Sequence, residues 1–316
     1  MNKLQPDILH CIGNTPLVAL RNIVPRNGSR LLLKLESENP TGSMKDRMAL
    51  AMIEAAEADG RLRPGGSVVE YTGGSTGVSL SLVCAVKGYP LHIVTSDAFA
   101  PEKLDHMKIL GAKLQIVPSE NGRMTEKLTR DMVEAARIIA AETGSFWTNQ
   151  LNNKDQVAAY HKMADEMWMQ TEGRIDGFVQ SVGTAGSIRG NAEGLRRYNK
   201  QIKIVAAEPS ESPVLSGGQA GGHKIDGIGV GFVPPLWQQN LVNQVEHVST
   251  DEAIAMVFRL AWEEGIFAGT STGCNVIAAL RLAEQLSPQA TVVTLMCDTG
   301  MKYLKSYGTR QSADRA

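Results

Sequence analysis

The stretch Ser67-Val68-Val69-Glu70-Tyr71-Thr72-Gly73-Gly74-Ser75-Thr76-Gly77 joins a short apolar run to a glycine-rich turn and the start of a helical pattern. The apolar run over 67–71 predicts a strand, and the periodicity over 76–87 predicts a helix. Glycines in the turn allow close approach to the backbone, and its free N–H groups and hydroxyls suit an anion. Taken alone, the stretch favours an ordinary strand-to-helix turn over an anion site.

The same order of strand and helix recurs along most of the chain. We predict further strands at 31–35, 91–95, 114–117, 177–182, 202–207 and 291–296. We predict further helices at 44–58, 103–110, 125–141, 156–170 and 251–264. Strands that alternate with helices indicate parallel sheets covered by helices on both faces. The predicted fold class is therefore α/β, with two doubly wound domains and mainly parallel sheets.

Composition limits the classes of partner to consider. The chain has 316 residues, of which 43% are hydrophobic and 21% charged, and its formal net charge is -1. This balance argues against nucleic acid or an anionic membrane as the main partner. No apolar run approaches the roughly 20 residues that a membrane helix needs. The start of the chain has no secretory apolar region, so we expect a cytoplasmic protein.

Cysteines and loops add further expectations. The four cysteines are far apart, and no cysteine or histidine group has metal-ligand spacing, so we expect reduced thiols and no metal. Residues 209–235 are rich in Gly, Ser and Pro and have little periodicity, which predicts a long ordered loop with a functional role. The polar tail over 311–316 is expected to fray.

Lys45 is the first candidate reactive residue. It lies in Asn39-Pro40-Thr41-Gly42-Ser43-Met44-Lys45-Asp46-Arg47, where a turn leads into a predicted helix. The positive end of the helix dipole disfavours a second positive charge, which makes a neutral amine easier to form. A neutral amine is the form that attacks an aldehyde. A solvated lysine in the first helical turn is the competing interpretation.

Two more segments follow predicted strands. Gly183-Thr184-Ala185-Gly186-Ser187 offers a second set of amides and hydroxyls, so the two loops together favour two anions, such as a cofactor phosphate and a substrate carboxylate. Neither loop has the Gly-x-Gly-x-x-Gly spacing of a dinucleotide site, which disfavours a nicotinamide cofactor. Cys297-Asp298-Thr299-Gly300 follows the last predicted strand, at the sheet edge where ligands bind. A hydroxyl or carboxylate there is a candidate to face a ring nitrogen.

Together these segments resemble the cysteine synthase family of fold-type II pyridoxal-phosphate enzymes, which also includes cystathionine β-synthase and has the tryptophan synthase β-like fold. The resemblance covers nearly the whole chain. Further matching motifs are Ile12-Gly13-Asn14-Thr15-Pro16-Leu17, Glu208-Pro209, Ser212-Pro213-Val214-Leu215-Ser216-Gly217-Gly218, His223-Lys224-Ile225-Asp226-Gly227-Ile228-Gly229, Gly269-Thr270-Ser271-Thr272-Gly273 and Gly300-Met301-Lys302-Tyr303-Leu304.

The resemblance implies pyridoxal 5'-phosphate as the cofactor and a defined set of site residues. Lys45 would be the catalytic residue and would form the internal Schiff base. Thr299 would face the pyridine nitrogen, with Asp298 as the competing candidate. The cofactor-binding residues would be Lys45, Ser75, Gly183, Thr184, Ala185, Gly186, Ser187 and Thr299. The substrate-binding residues would be Thr72, Gly73, Gly74, Ser75, Thr76, Gln150, Gly227, Ile228 and Gly229.

The chain departs from the family pattern in both anion loops. The family usually has Thr-Ser-Gly-Asn-Thr-Gly, so Gly73 replaces a serine and Ser75 an asparagine. The change removes one hydroxyl and one amide from the expected carboxylate site. Ala185 replaces a usual glycine, which should be tolerated if the residue has a negative φ.

The implied reaction is a β-replacement in which an activated serine such as O-acetylserine and sulfide give cysteine through an aminoacrylate. Lys45, once free, would take the α-proton as general base. Alternatives are a cysteine desulfhydrase, which releases sulfide, pyruvate and ammonia, and a serine or threonine dehydratase. A non-catalytic ligand-binding α/β protein is the hypothesis from another class.

We also expect two domains with the cofactor in the cleft between them. The smaller domain, at 41–147, would carry Lys45 and the carboxylate loop. The larger domain, formed by 1–40 and 148–316, would carry the phosphate loop and Thr299. The resemblance implies a homodimer, and the sequence leaves open whether a serine acetyltransferase tail binds.

Overall fold

Two β-sheets and the helices that cover them make up the computed structural model, which describes residues 4–122 and 125–308. The strands are β1 Leu17–Ala19, β2 Arg30–Leu35, β3 Val68–Tyr71, β4 Leu91–Ser96, β5 Lys113–Val117, β6 Phe146–Trp147, β7 Gly177–Ser181, β8 Lys203–Pro209, β9 Gln244–Val248 and β10 Thr291–Met296. The helices are α1 Lys45–Asp59, α2 Ser75–Lys87, α3 Pro101–Ile109, α4 Glu126–Thr143, α5 Asp155–Gln170, α6 Gly186–Tyr198, α7 Thr250–Glu264 and α8 Thr270–Gln285. The tail over 311–316, predicted to fray, lies outside the described residues.

Both sheets are built mainly from parallel strands. The smaller sheet has four strands in the order β5-β4-β3-β6, all parallel. The larger has six strands in the order β1-β2-β10-β7-β8-β9, and only β1 runs antiparallel to its neighbour. Every residue of the central strands β7 and β10 is buried, as expected for strands covered on both faces. The mainly parallel α/β architecture agrees with the sequence-based prediction.

The predicted strands and helices all occur in the structure, with ends that differ by at most two residues. Some elements had no predicted range. The missed strands β1, β6 and β9 have two to five residues and lie at sheet edges. No range was predicted for α6, in which glycines interrupt the helical pattern, or for α8. No helix or strand occurs in the described residues from 210 to 238, in agreement with the predicted long loop.

A buried cluster of charges, formed by Lys34, Glu36, Arg47 and Glu166, joins β2, α1 and α5. Arg47 Nη1 contacts Glu166 Oε1 at 2.7 Å, and its Nε contacts Glu36 Oε2 at 2.7 Å. Lys34 Nζ contacts Glu166 Oε2 at 2.7 Å. Burial alone would raise the pKa of Glu166, but the bonds from Arg47 and Lys34 outweigh it and lower that pKa to about 2. These ion pairs hold the start of α1, which carries Lys45, against the end of β2 and against α5.

Candidate active site

Lys45 is the first residue of α1, as predicted, and the turn before it pairs with a distant segment. Met44 N donates to Cys297 O at 2.9 Å, and Thr299 N donates to Gly42 O at 3.0 Å. These two bonds place the turn beside the residues that follow β10. The expected reactive lysine and the expected ring-nitrogen contact therefore come from backbone segments that are bonded to each other.

The environment of Lys45 favours its neutral form. Its amine has no hydrogen bond or ion pair to any residue in 4–122 or 125–308. Burial is the main cause that lowers the pKa of this amine below its ordinary 10.5, and the charge of Lys103 adds to the effect. Cys297 and Asp298 act in the opposite direction. The sequence pointed to the helix dipole, and the structure adds desolvation as a cause in the same direction.

The loop after β3 is positioned by Gln150. Thr76 Oγ1 donates to Gln150 Oε1 at 2.9 Å, and Gln150 Nε2 donates to the carbonyl oxygen of Tyr71 at 2.9 Å. The buried carboxylate of Glu70 in turn accepts from Gln150 N at 2.9 Å. The structure thus brings Gln150 to the loop formed by residues 72–76, although the two are far apart in sequence.

At two positions of this loop, neighbouring side chains leave no room for a Cβ, so both positions are glycine. The sequence did not identify these side chains as neighbours of the loop. A Cβ on Gly73 would overlap the ring of Phe99. A Cβ on Gly74, where φ is +153°, would overlap Cδ of Lys103. Phe99 therefore occupies the space into which a serine at position 73 would project. No local pattern marks Phe99 or Lys103, because each reaches the loop from beyond the next strand.

The phosphate-loop candidates lie between β7 and α6. A Cβ on Gly183 would come within 2.5 Å of the carbonyl oxygen of Gly227, so this close approach requires glycine. Thr184 Oγ1 donates to Gln156 Oε1 at 3.2 Å, and Ser187 Oγ donates to Gln180 Oε1 at 3.1 Å. The loop is held from both sides by buried amide side chains.

Ala185 corrects one expectation. Its φ is +66°, in the left-handed region, so the negative φ on which we based its tolerance is wrong. The residue is the N-cap of α6, and the turn into the helix needs this conformation whichever residue occupies it. The chain therefore keeps the backbone shape of a glycine at this position at a cost in strain.

The N-termini of α2 and α6 are suited to anions. Neither helix has a hydrogen bond from a capping side chain at its start. The first N–H groups of a helix have no partner within it, and the helix dipole favours negative charge there. Two such ends fit a phosphate and a carboxylate, the charged groups of pyridoxal phosphate and an amino acid.

Asp298 and Thr299, the two candidates for the ring nitrogen, have different surroundings. Asp298 is buried, and its Oδ2 accepts from Tyr303 Oη at 2.7 Å and from Ser75 Oγ at 3.2 Å. Its Oδ1 has no partner among the described residues. Thr299 is half-buried, and its Oγ1 accepts from Met301 N at 3.3 Å. Asp298 thus accepts a bond from Ser75, the residue expected at the ring hydroxyl. Which of Thr299 and Asp298 faces the ring nitrogen stays a prediction.

The expected entrance loop packs on the phosphate loop. Gly229 N donates to the carbonyl oxygen of Val182 at 3.0 Å, next to Gly183. The side chain of Ile228 is buried. Residues 227–229 therefore lie near the carboxyl end of β7, and their expected role at the entrance stays a prediction.

The remaining groups have limited roles in the site. Burial is the main cause that raises the pKa of the Cys297 thiol to about 11, so the thiol stays protonated near neutral pH. In residues 4–122 and 125–308, no His, Cys, Asp or Glu group of three is arranged to hold a metal ion. Across the same part of the chain, no helix is long and apolar enough to cross a membrane.

The fold and site define an α/β protein with a lysine at a helix start and two helix N-termini open to anions. The chain belongs to the family of pyridoxal-phosphate dependent enzymes, whose family model matches residues 8–298. A cysteine synthase of Staphylococcus aureus strain Mu50 is 38% identical over 302 residues, which cover 95% of this chain and 96% of that protein. The predicted family and cofactor are confirmed.

Solved structures agree with this assignment. A cysteine synthase from Entamoeba histolytica superposes with a TM-score of 0.90 at 36% identity, over 96% of this chain and 90% of that chain. A hydrogen sulfide-producing enzyme from Fusobacterium nucleatum superposes with a TM-score of 0.89 at 33% identity, over 95% of this chain and 100% of the other. The predicted fold class of the fold-type II pyridoxal-phosphate enzymes is confirmed.

Proposed function

We propose that the protein is a cysteine synthase, which replaces the β-substituent of an activated serine such as O-acetylserine by sulfide. Similarity to cysteine synthases over nearly the whole chain supports this activity. The single structural observation that carries the proposal is the location of Lys45, whose amine is within electrostatic reach of Asp298, has no partner among the described residues and has its pKa lowered by burial.

We assign the site residues as follows. Bound pyridoxal phosphate would supply the electron-withdrawing ring that stabilises negative charge at the substrate α-carbon. Lys45 would anchor the cofactor and then take the α-proton on Nζ, which requires the neutral amine that burial favours. Residues 183–187 would bind the phosphate at the start of α6. Residues 72–76 and Gln150 would bind the substrate carboxylate at the start of α2, and residues 227–229 would line the entrance.

A cysteine desulfhydrase is the second candidate, because one observation favours it. The ring of Phe99 fills the space of the serine side chain that relatives have at position 73, so the substrate loop differs in shape as well as in donors. The similar Fusobacterium nucleatum enzyme produces hydrogen sulfide. An altered loop can change which β-substituent is held in line for departure.

Purified holoenzyme decides between the two activities. We expect cysteine to form from O-acetylserine and sulfide faster than sulfide is released from cysteine alone. Lys45→Ala should abolish both reactions and the borohydride-sensitive chromophore, because the anchoring amine is lost. Rapid sulfide release with negligible synthesis would assign the protein as a desulfhydrase instead. An active Lys45→Ala variant would contradict the proposal as a whole.

We also propose the division into a domain at 41–147 and a second domain formed by 1–40 and 148–316. Its support is that the four-stranded sheet uses only strands from β3 to β6, whereas the six-stranded sheet takes strands from both sides of that segment. The homodimer and the cytoplasmic location stay predictions that rest on the family resemblance and the sequence.

A further inference from the structure

Lys103, on α3, places a buried positive charge at the candidate carboxylate loop. Its side chain is 2% exposed. A Cβ built on Gly74 would lie 3.3 Å from Lys103 Nζ, so the ammonium lies directly beside the turn between β3 and α2. None of the motifs that identify the family contains this residue. The charge is therefore a feature of the site that the motifs alone do not account for.

The partners of Lys103 come from two segments that are distant in sequence. Lys103 Nζ donates to Asp226 Oδ2 at 2.6 Å and to Tyr303 Oη at 3.2 Å, and it lies 4.4 Å from the centre of the Tyr303 ring. Asp226 directly precedes the entrance-loop residues 227–229, and its side chain is 34% exposed. The ammonium thus lies between the carboxylate loop and the entrance loop. Of its three N–H donors, these two contacts use two, so one remains for a ligand.

The loop beside Lys103 is poor in side-chain donors. Gly73 has no hydroxyl, and Phe99 fills the place where one would stand. Ser75 Oγ already donates to Asp298. A carboxylate at the start of α2 would otherwise depend on neutral donors, which are backbone N–H groups, threonine hydroxyls and Gln150. A buried ammonium at hydrogen-bonding range adds a full opposite charge, and charge-assisted bonds are the strong ones.

We propose that Lys103 determines specificity in this site by binding the α-carboxylate of the amino-acid substrate, with its charge shared between that carboxylate and Asp226. This inference rests on the proposed function, since it assumes that residues 72–76 face an amino acid. The proposed role differs from that of a purely structural ion pair in one respect. If the pair were structural, loss of either partner would weaken substrate binding alike. Here Asp226 competes with the substrate carboxylate for the ammonium of Lys103, so loss of Asp226 should not weaken binding.

The test is an equilibrium titration of the holoenzyme with L-alanine, followed by the absorbance of the bound cofactor. L-alanine has no β leaving group, so the readout needs no turnover and holds whichever reaction the enzyme catalyses. Lys103→Met should weaken L-alanine binding by roughly tenfold to a hundredfold, the size expected for a lost bond to a charged group. Asp226→Asn should bind L-alanine at least as tightly as the wild type, because the competing carboxylate is gone.

Two controls separate recognition from general damage. L-alaninamide has no carboxylate, so Lys103→Met should bind it as the wild type does. Lys108→Met removes a lysine of the same helix that is 58% exposed and paired with Asp105, and it should leave both titrations unchanged. Cofactor content and unfolding midpoint confirm that each variant is folded.

The proposal is overturned if Lys103→Met and Asp226→Asn weaken L-alanine binding alike, which would make the pair structural. It is equally overturned if Lys103→Met binds L-alanine normally, or loses L-alanine and L-alaninamide to the same degree. Absence of any spectral response in the wild-type holoenzyme would instead count against the proposed amino-acid enzyme itself.

Discussion

At the scale of single residues, Ala185 has a backbone conformation that glycine adopts readily and alanine does not. Its φ of +66° places the Cβ where an L-residue is disfavoured, by about 1–2 kcal/mol. The turn that opens α6 has this conformation at the N-cap of the helix. The sequence identified the loop but not this torsion, since a motif records which residues occur and not the backbone angles they adopt.

Replacement of Ala185 by glycine should therefore cost less than the same replacement elsewhere. Ala192, within α6 and equally buried, is the matched control, because it loses the same methyl group from helical backbone. We expect Ala192→Gly to lower the free energy of unfolding by about 1–2 kcal/mol more than Ala185→Gly does. Urea unfolding of the two variants checks this. Equal losses would mean that Ala185 carries no strain.

Sequence patterns could not identify the residues that reach the site from distant parts of the chain. Lys45 was identifiable because a turn and a helix start lie next to it in the chain. Phe99 and Lys103 come from the segment after β4, and Asp226 from a long loop. Phe99 and Lys103 lie near residues 72–76 because β4 pairs with β3 in one sheet, whereas Asp226 reaches Lys103 from a segment outside that sheet, and no local pattern encodes either arrangement.

At the scale of elements, the turn between β3 and α2 has been reshaped together with its neighbour. Gly73 does not have a positive φ, so its backbone permits a serine. The obstacle is the ring of Phe99, which a Cβ at position 73 would overlap. The two positions are therefore coupled through the packing of one side chain against one turn.

Restoring the serine of the relatives should fail unless the ring is also removed. Gly73→Ser alone should lower the free energy of unfolding by about 1–3 kcal/mol through overpacking. Adding Phe99→Ala should relieve that part of the loss, so the double variant should be more stable than the sum of the single effects. Urea unfolding of both single variants and the double variant measures the coupling. Strictly additive effects would contradict it.

Element prediction succeeded where burial alone determines the pattern. β7 and β10 are covered on both faces, and their continuous apolar runs predicted them to within a residue at each end. β9 lies at a sheet edge and only its last residue is buried, and β6 has two residues. Such strands form because a partner strand is already in place, so their own sequences contain little signal.

At the scale of the whole molecule, stability depends on the charge cluster around Arg47. The cluster connects β2, α1 and α5, and its two carboxylates accept four hydrogen bonds from this one guanidinium. The pKa of Glu166 is about 2, below its ordinary 4.5. A depressed pKa stabilises the fold above the unfolded value, so this contribution is lost as pH falls from about 4.5 towards 2.

Removal of Arg47 should leave buried carboxylates unpaired. We expect Arg47→Met to lower the free energy of unfolding at pH 7 by about 3–5 kcal/mol. Arg61→Met is the control, because Arg61 is 42% exposed and pairs with Asp59 and Asp155 at the surface, where such pairs contribute about 0–1 kcal/mol. Urea unfolding distinguishes them. Similar losses in the two variants would show that the cluster is no more important than a surface pair.

The bonds of Met44 to Cys297 and of Thr299 to Gly42 bear on how the enzyme is made. Synthesis delivers Lys45 long before Cys297, Thr299 and the central strand β10. Proteins fold domain by domain as the chain leaves the ribosome, yet the surroundings of this lysine include segments that are translated far apart in time. On the proposed role of Lys45, cofactor loading must then await translation of β10 and of the residues that follow it, and a chain truncated before β10 would expose this amine without Cys297 and Thr299 beside it.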